Sequence, residues 1–274
     1  MTPISLAQLT VLHASPPELV RIAGKCGYDF VGLRLLDVVG GDGWPLSSDP
    51  SLLRETKEAM AEQGVGVLDV ELAKLQPHTI VEDFLPFLET AAELGAKHVL
   101  AQAQDDDWPR LVDNFARLCD LAAPLGLTVD VEFVTWAGLR NLAGVRRLVE
   151  AAARPNGGIT IDTLHFYRSG CLVSEIDSID PSLLHFIQIA DAPAQAPDSE
   201  EGLIFAARED RLYPGEGDLG LLEILQRLPP ETAVAVEIPN SRLGRQFSDD
   251  ERACHAFEAT RRLVAQASAN RAAG

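Results

Sequence analysis

The chain has 274 residues, 46% of them hydrophobic, and is strongly acidic: 41 Asp and Glu against 23 Lys and Arg give a formal charge of −18. This length suits one large α/β domain or two small ones. The charge argues against nucleic acid as a partner, because such binding relies on a basic surface that releases counterions. No run approaches the roughly 18 apolar residues of a membrane span, and Met1-Thr2-Pro3-Ile4 opens no targeting segment. A soluble cytoplasmic protein with no membrane partner is expected. Cys26, Cys119, Cys171 and Cys254 form no CxxC pair, so reduced thiols are expected rather than a zinc knuckle or a disulfide framework.

In chain order, strand-like runs span Ile4 to Thr10, Asp29 to Leu35, Val65 to Glu71, His98 to Gln102, Leu127 to Phe133, Gly158 to Asp162, Leu183 to Ile189 and Thr232 to Ile238. Helical spacing fills most of the intervals: Pro17 to Lys25, Ser51 to Gln63, Val81 to Leu94, Trp108 to Leu125, Leu142 to Ala153, Leu219 to Leu228 and Asp249 to Ala267. Gly27, Gly64, Gly95 and Gly126 follow four of these helices, where a left-handed C-cap turns the chain back. The sixth connection, around Ser174 to Pro181, is short enough for a single helical turn.

Eight βα units in about 270 residues match a (β/α)8 TIM barrel, read as a single domain over residues 1–274. An open doubly wound sheet is the alternative, but the glycine-rich first turn it needs is missing after the first strand. Ala190 to Pro214 departs from the regular spacing. It is long and rich in Pro, Asp and Glu, as expected of a lid over the active face.

Glu132 closes the run TVDVEF, Asp162 closes GITID, Gln188 sits in FIQIA and Glu237 closes VAVEI. In a TIM barrel, residues at the C-terminal strand ends point into the active site. Three carboxylates gathered there repel one another and resist burial unless a cation joins them. Four oxygen donors without thiolate or imidazole favour one divalent ion, Mg²⁺ or Mn²⁺, with Co²⁺ as a substitute.

Glu132 in VDVEF, Asp162 and His165 in IDTLH, Gln188 in FIQIADAP, Arg211 in RLYPGEG and Glu237 in VEIP together resemble the xylose isomerase-like TIM barrel superfamily of sugar phosphate isomerases and epimerases, over nearly the whole chain. The resemblance implies that Glu132, Asp162, Gln188 and Glu237 hold the metal and that Glu132 and Glu237 act as proton-transferring bases. It implies that Arg211 assists substrate binding or polarisation. Many members carry His where this chain has Gln188. Gln at that position, and a Trp matching Trp136 four residues after the first ligand, resemble the 3-dehydroshikimate dehydratase branch.

Two reactions are therefore expected from one enediolate-like intermediate. Returning the α proton isomerises or epimerises a ketose or hydroxy-ketone; losing a β-hydroxyl dehydrates a cyclic polyhydroxy ketone, as in a 3-dehydroshikimate or inosose dehydratase. His165 is placed to hydrogen-bond a substrate oxygen or act as an acid. Arg211 is favoured over Arg208 as the donor fork, and Trp136 and Phe166 as aromatic walls. Arg34, Glu71, Gln102, Gln104 and His13 are weaker candidates on the same face. No basic cluster marks a phosphate site, which favours an unphosphorylated polyol or ketose as the small-molecule partner. A DNA-repair endonuclease of this superfamily is disfavoured by the six histidines and the acidity, and a non-catalytic sugar-binding barrel by the paired bases. The acidic, Ala- and Leu-rich helical exterior is compatible with a homo-oligomer.

Overall fold

The computed structural model describes residues 2–273. Eight parallel strands close in sequence order into a barrel, β1 pairing with β8. They are β1 Ile4–Ala7, β2 Phe30–Arg34, β3 Gly66–Leu75, β4 His98–Ala103, β5 Thr128–Glu132, β6 Gly157–Asp162, β7 Phe186–Ile189 and β8 Ala233–Val236. Outside them lie α1 Pro16–Cys26, α2 Pro50–Gln63, α3 Leu85–Glu93, α4 Trp108–Ala122, α5 Leu142–Ala152, α6 Thr163–Arg168, α7 Glu200–Glu209, α8 Leu221–Arg227, α9 Ser241–Gly244 and α10 Asp249–Ala273. The (β/α)8 architecture expected from the alternating pattern is the one observed.

Local chemistry sets the helix ends. Ser15 and Glu18 form a capping box ahead of α1, with Pro16 and Pro17 in its first turn, and Gly27 ends it at φ 96°. Asp49, Asp107 and Asn141 accept backbone N–H groups at the starts of α2, α4 and α5. The period-two alternation of the strands separates two environments. On β5, Val129 and Val131 belong to the main hydrophobic cluster, which also includes Leu118 and Leu148 of the surrounding helices. Thr128, Asp130 and Glu132, on the alternate positions, face the barrel interior, and Glu132 lies at its mouth.

Several boundaries differ from expectation. β1 stops at Ala7 because residues Gln8–Val11 coil into a 3₁₀ turn, and β7 begins only at Phe186 after another such turn at Pro181–Leu183. β3 runs on to Leu75, beyond the expected end at Glu71. The sixth connection holds α6 directly after Asp162, then a 3₁₀ segment at Val173–Ser178. The segment expected to be an irregular lid contains α7, whose start is capped by the Ser199 side chain and carries Glu200 and Glu201.

The expectation of four reduced thiols is overturned. Cys26, at the end of α1, is disulfide-bonded to Cys254 in α10, 228 residues away in sequence. Closing the barrel brings the first and last helices side by side, which spacing along the chain could not reveal. Cys119 and Cys171 are free. No helix among the described residues is long and apolar enough to cross a membrane.

Candidate metal and active site

A cavity of about 780 Å³ opens at the C-terminal face of the barrel. Glu132, His165, Arg211 and Glu237 line it, and Asp162 and Gln188 lie on the neighbouring strands without bordering it. Glu132 ends β5, Asp162 ends β6, Gln188 lies in β7, and Glu237 follows the last residue of β8. All four are buried. Glu132, Asp162 and His165 offer ligand atoms within 4.8 Å of one another. Glu237 lies outside that group, and Gln188 Nε2 donates to Glu237 Oε1 at 2.9 Å.

Arg211 ties the carboxylates together. Its Nη1 donates to Asp162 Oδ2 at 2.6 Å and lies 3.0 Å from Glu237 Oε2. Its Nε donates to the Ala207 carbonyl oxygen of α7 at 2.7 Å. Only 2% exposed, this guanidinium borders the cavity but is engaged mainly by the proposed ligands. The expected donor fork thus borders the cavity while pairing with Asp162 and Glu237.

The electrostatics follow from this crowding. Burial, reinforced by the charge of Asp162, pushes the Glu132 carboxyl up to about 8. Burial likewise raises Glu237 well above the ordinary carboxylate range, and the Arg211 charge only partly offsets it. Burial also opposes ionisation of Asp162, but Arg211 and His165 outweigh it and hold that carboxyl below its usual value. Burial drives His165 down to about 4, leaving a neutral imidazole.

Two buried atoms in this group have no protein partner, Gln188 Oε1 and His165 Nδ1. A buried carbonyl oxygen left free on a side chain whose amide meets the Glu237 carboxylate has the character of a hard-cation ligand. With all three ionised, the carboxylates and the guanidinium would sum to −2, a charge that one divalent ion would neutralise.

Around this floor the cavity gathers most of the weaker candidates. Arg34, Glu71, Gln102, Gln104 and His13 all line it. Gln102 Nε2 donates to Glu132 Oε2 at 2.7 Å, and Arg34 pairs with Glu71 and Asp42. Trp136 also lines it, edge-on to His165 with ring centroids 4.9 Å apart. Phe166 does not serve as a wall, because it is buried in the hydrophobic core. Contrary to expectation, basic residues do collect at the mouth. Arg34 is matched by its carboxylates, whereas Lys74 and Arg208 line the cavity and oppose each other electrostatically, with no carboxylate among the described residues within salt-bridge distance of either. Lys74 was missed because it lies in the unexpected extension of β3.

Residues 20–263 match the family model described as the xylose isomerase-like TIM barrel. The chain belongs to that family. It is 25% identical over 257 residues to an inosose isomerase of Bacillus subtilis (strain 168), covering 84% of this chain and 87% of that protein. Matches to three other inosose isomerases span about three fifths of those proteins' length. A 3-dehydroshikimate dehydratase of Pseudomonas aeruginosa is 26% identical over 235 residues, which are 81% of this chain but 35% of that protein. Among solved structures, IolI protein with a bound zinc atom superposes with a TM-score of 0.79 at 22% identity, covering 97% of this chain and 99% of that one. The relatives are enzymes, and both isomerases and dehydratases occur among them.

Proposed function

We propose that the protein is a divalent-metal-dependent isomerase or epimerase acting on a ketose or cyclic hydroxy-ketone through α-proton transfer. The observation that carries this reading is the pair of buried carboxylates, Glu132 and Glu237, held three strands apart at the floor of one cavity. Glu132, Asp162, Gln188 and Glu237 are the residues that would hold the ion, and the free Gln188 Oε1 is the atom that fits it best. The zinc in the IolI structure supports a metal here; the oxygen donor set favours Mn²⁺ or Mg²⁺, with Co²⁺ as a substitute.

A bound divalent ion polarises a substrate carbonyl and acidifies the neighbouring C–H. The remaining work falls to side chains. One of Glu132 and Glu237 takes the α proton and the other returns it, their elevated proton affinities bringing them toward that of a weakly acidic carbon. His165, neutral and with an unsatisfied Nδ1, accepts from a substrate hydroxyl or presents its ring to a carbonyl oxygen. Trp136 supplies the apolar wall. Arg211 keeps Asp162 and Glu237 in register.

A second reading is dehydration of a cyclic polyhydroxy ketone. Gln188 and Trp136 favour it, and so do Lys74 and Arg208, which suit a ring bearing a carboxylate. Protein loaded with Mn²⁺ is incubated in D₂O with inososes, ketoses and carboxylated cyclic hydroxy-ketones. Deuterium at the α carbon of an isomeric product supports the first reading. Rising ultraviolet absorbance from an enone or aromatic product supports the second. No turnover of any member of the panel would exclude both.

A further inference from the structure

The opposite pole of the barrel carries a second constellation. His98 and Thr128 open β4 and β5, Asp130 follows on β5, and His185 immediately precedes β7. Asp130 is fully buried. His185 Nδ1 lies 2.6 Å from Asp130 Oδ1, and His98 Nδ1 lies 3.6 Å from Asp130 Oδ2. Thr128 Oγ1 donates to Oδ2 at 2.6 Å and sits 2.7 Å from His98 Nδ1. Among the described residues no Lys or Arg lies within salt-bridge distance of this carboxylate; its ionic partners are the two imidazoles.

The neighbouring strand leaves room for this arrangement. A Cβ at Gly158 of β6 would fall 2.2 Å from Asp130 Oδ1 and 2.5 Å from His185 Nδ1. Only glycine permits the carboxylate and the imidazole to meet there. Burial drives the His98 ring down to about 4, so that it is neutral at physiological pH, and the Ser182 backbone hydrogen-bonds to the His185 ring, the kind of outer contact that orients a ligating histidine.

We propose that His98, Asp130 and His185 form a second metal site at the N-terminal pole, specific for borderline transition ions of the zinc class. Two imidazoles and one carboxylate are a nitrogen-rich set, chemically unlike the all-oxygen set at the mouth, and suit Zn²⁺ over Mg²⁺ or Mn²⁺. Ligand atoms of all three lie within 4.8 Å of one another. The rings are stacked, with centroids 5.4 Å apart and planes 10° apart, so both must rotate to converge on one ion. Both rings are partly exposed. Coordination through Nδ1 displaces the proton now shared with Asp130 or Thr128; a neutral ring carries it on Nε2 instead, and an imidazolium releases it to solvent.

The test is anomalous scattering at the zinc edge from crystals of the full chain soaked in ZnCl₂, with zinc stoichiometry from calorimetry. A peak between His98, Asp130 and His185 is expected, at about 2.0–2.2 Å from the ligand atoms. His185→Ala and Gly158→Ala are each expected to lower the zinc count by one while leaving Mn²⁺ binding at the mouth intact, and Glu237→Gln is expected to leave the pole peak in place. A wild-type map without density at the pole under saturating zinc overturns the proposal, as does an unchanged zinc count in a folded His185→Ala protein. The two poles are read separately, so failure of the mouth to bind metal does not decide this outcome.

Discussion

The guanidinium of Arg211 lies 2.6 Å from Asp162, buried beneath the barrel mouth, and in metal-free protein it supplies the positive charge at the proposed ligands. Removing one member of a buried ion pair costs about 3–5 kcal/mol, because the other charge is left without a partner. Arg211→Met is therefore expected to lower the urea-unfolding free energy of metal-free protein by about that amount, and saturating Mn²⁺ to recover most of it. Equal destabilisation with and without Mn²⁺ would remove the charge-balance argument.

Metal-free stability should fall as pH rises. Glu132 titrates near 8 when folded against 4.5 in its ordinary state, so between those values the folded state holds the extra proton. Stability from this group is fully present below about 4.5 and is lost progressively up to and through about 8. Glu237 shifts in the same direction. Thermal melts of chelated protein are expected to drop by several degrees from pH 6 to pH 9, and Mn²⁺ affinity to rise over the same range because protons and metal compete for Glu132. A flat profile would contradict the burial of these carboxylates.

As a proposed ligand, Gln188 is expected to set metal preference. Gln188→His introduces an imidazole among the oxygen donors and is expected to move selectivity from Mn²⁺ and Mg²⁺ toward Zn²⁺ and Co²⁺, by about tenfold or more in competition titrations. Unchanged selectivity would place Gln188 outside the coordination sphere.

Glu237→Gln keeps the shape and removes the proposed base. Turnover is expected to fall about 10²–10⁴-fold with the fold intact by circular dichroism. Retention of more than a tenth of wild-type activity on a confirmed substrate would assign the proton transfer elsewhere.

The Cys26–Cys254 bridge closes a loop of more than 200 residues. Loop-closure entropy puts such a cross-link at about 5 kcal/mol. Cys254→Ser, or reduction with dithiothreitol, is expected to lower the melting temperature by roughly 10 °C; the free Cys119 and Cys171 offer an internal comparison through Cys171→Ser, expected to be neutral.

The floor of the mouth was legible because strand periodicity carries position. Glu132, Asp162, Gln188 and Glu237 each end an apolar run, and a closed parallel barrel turns equivalent strand ends into neighbours. What escaped notice depended on contacts across the closure or on the other pole. Cys26 and Cys254 meet only once α10 packs beside α1. His98 and His185 stand at strand starts, where no active-site expectation directs attention. Lys74 was hidden by the unforeseen length of β3. Arg211 was placed at the mouth, where it lines the cavity, but its pairing with Asp162 and Glu237 was not foreseen, because its motif indicates a turn without saying which way the side chain folds.

The Ala207 carbonyl that receives Arg211 Nε belongs to α7, the helix inside the segment covering the cavity. The Arg211 side chain thus joins roof and floor. Lifting the end of α7 would strip a partner from the guanidinium that pairs with Asp162 and Glu237, so the position of this helix and the charge beneath it are coupled through one side chain.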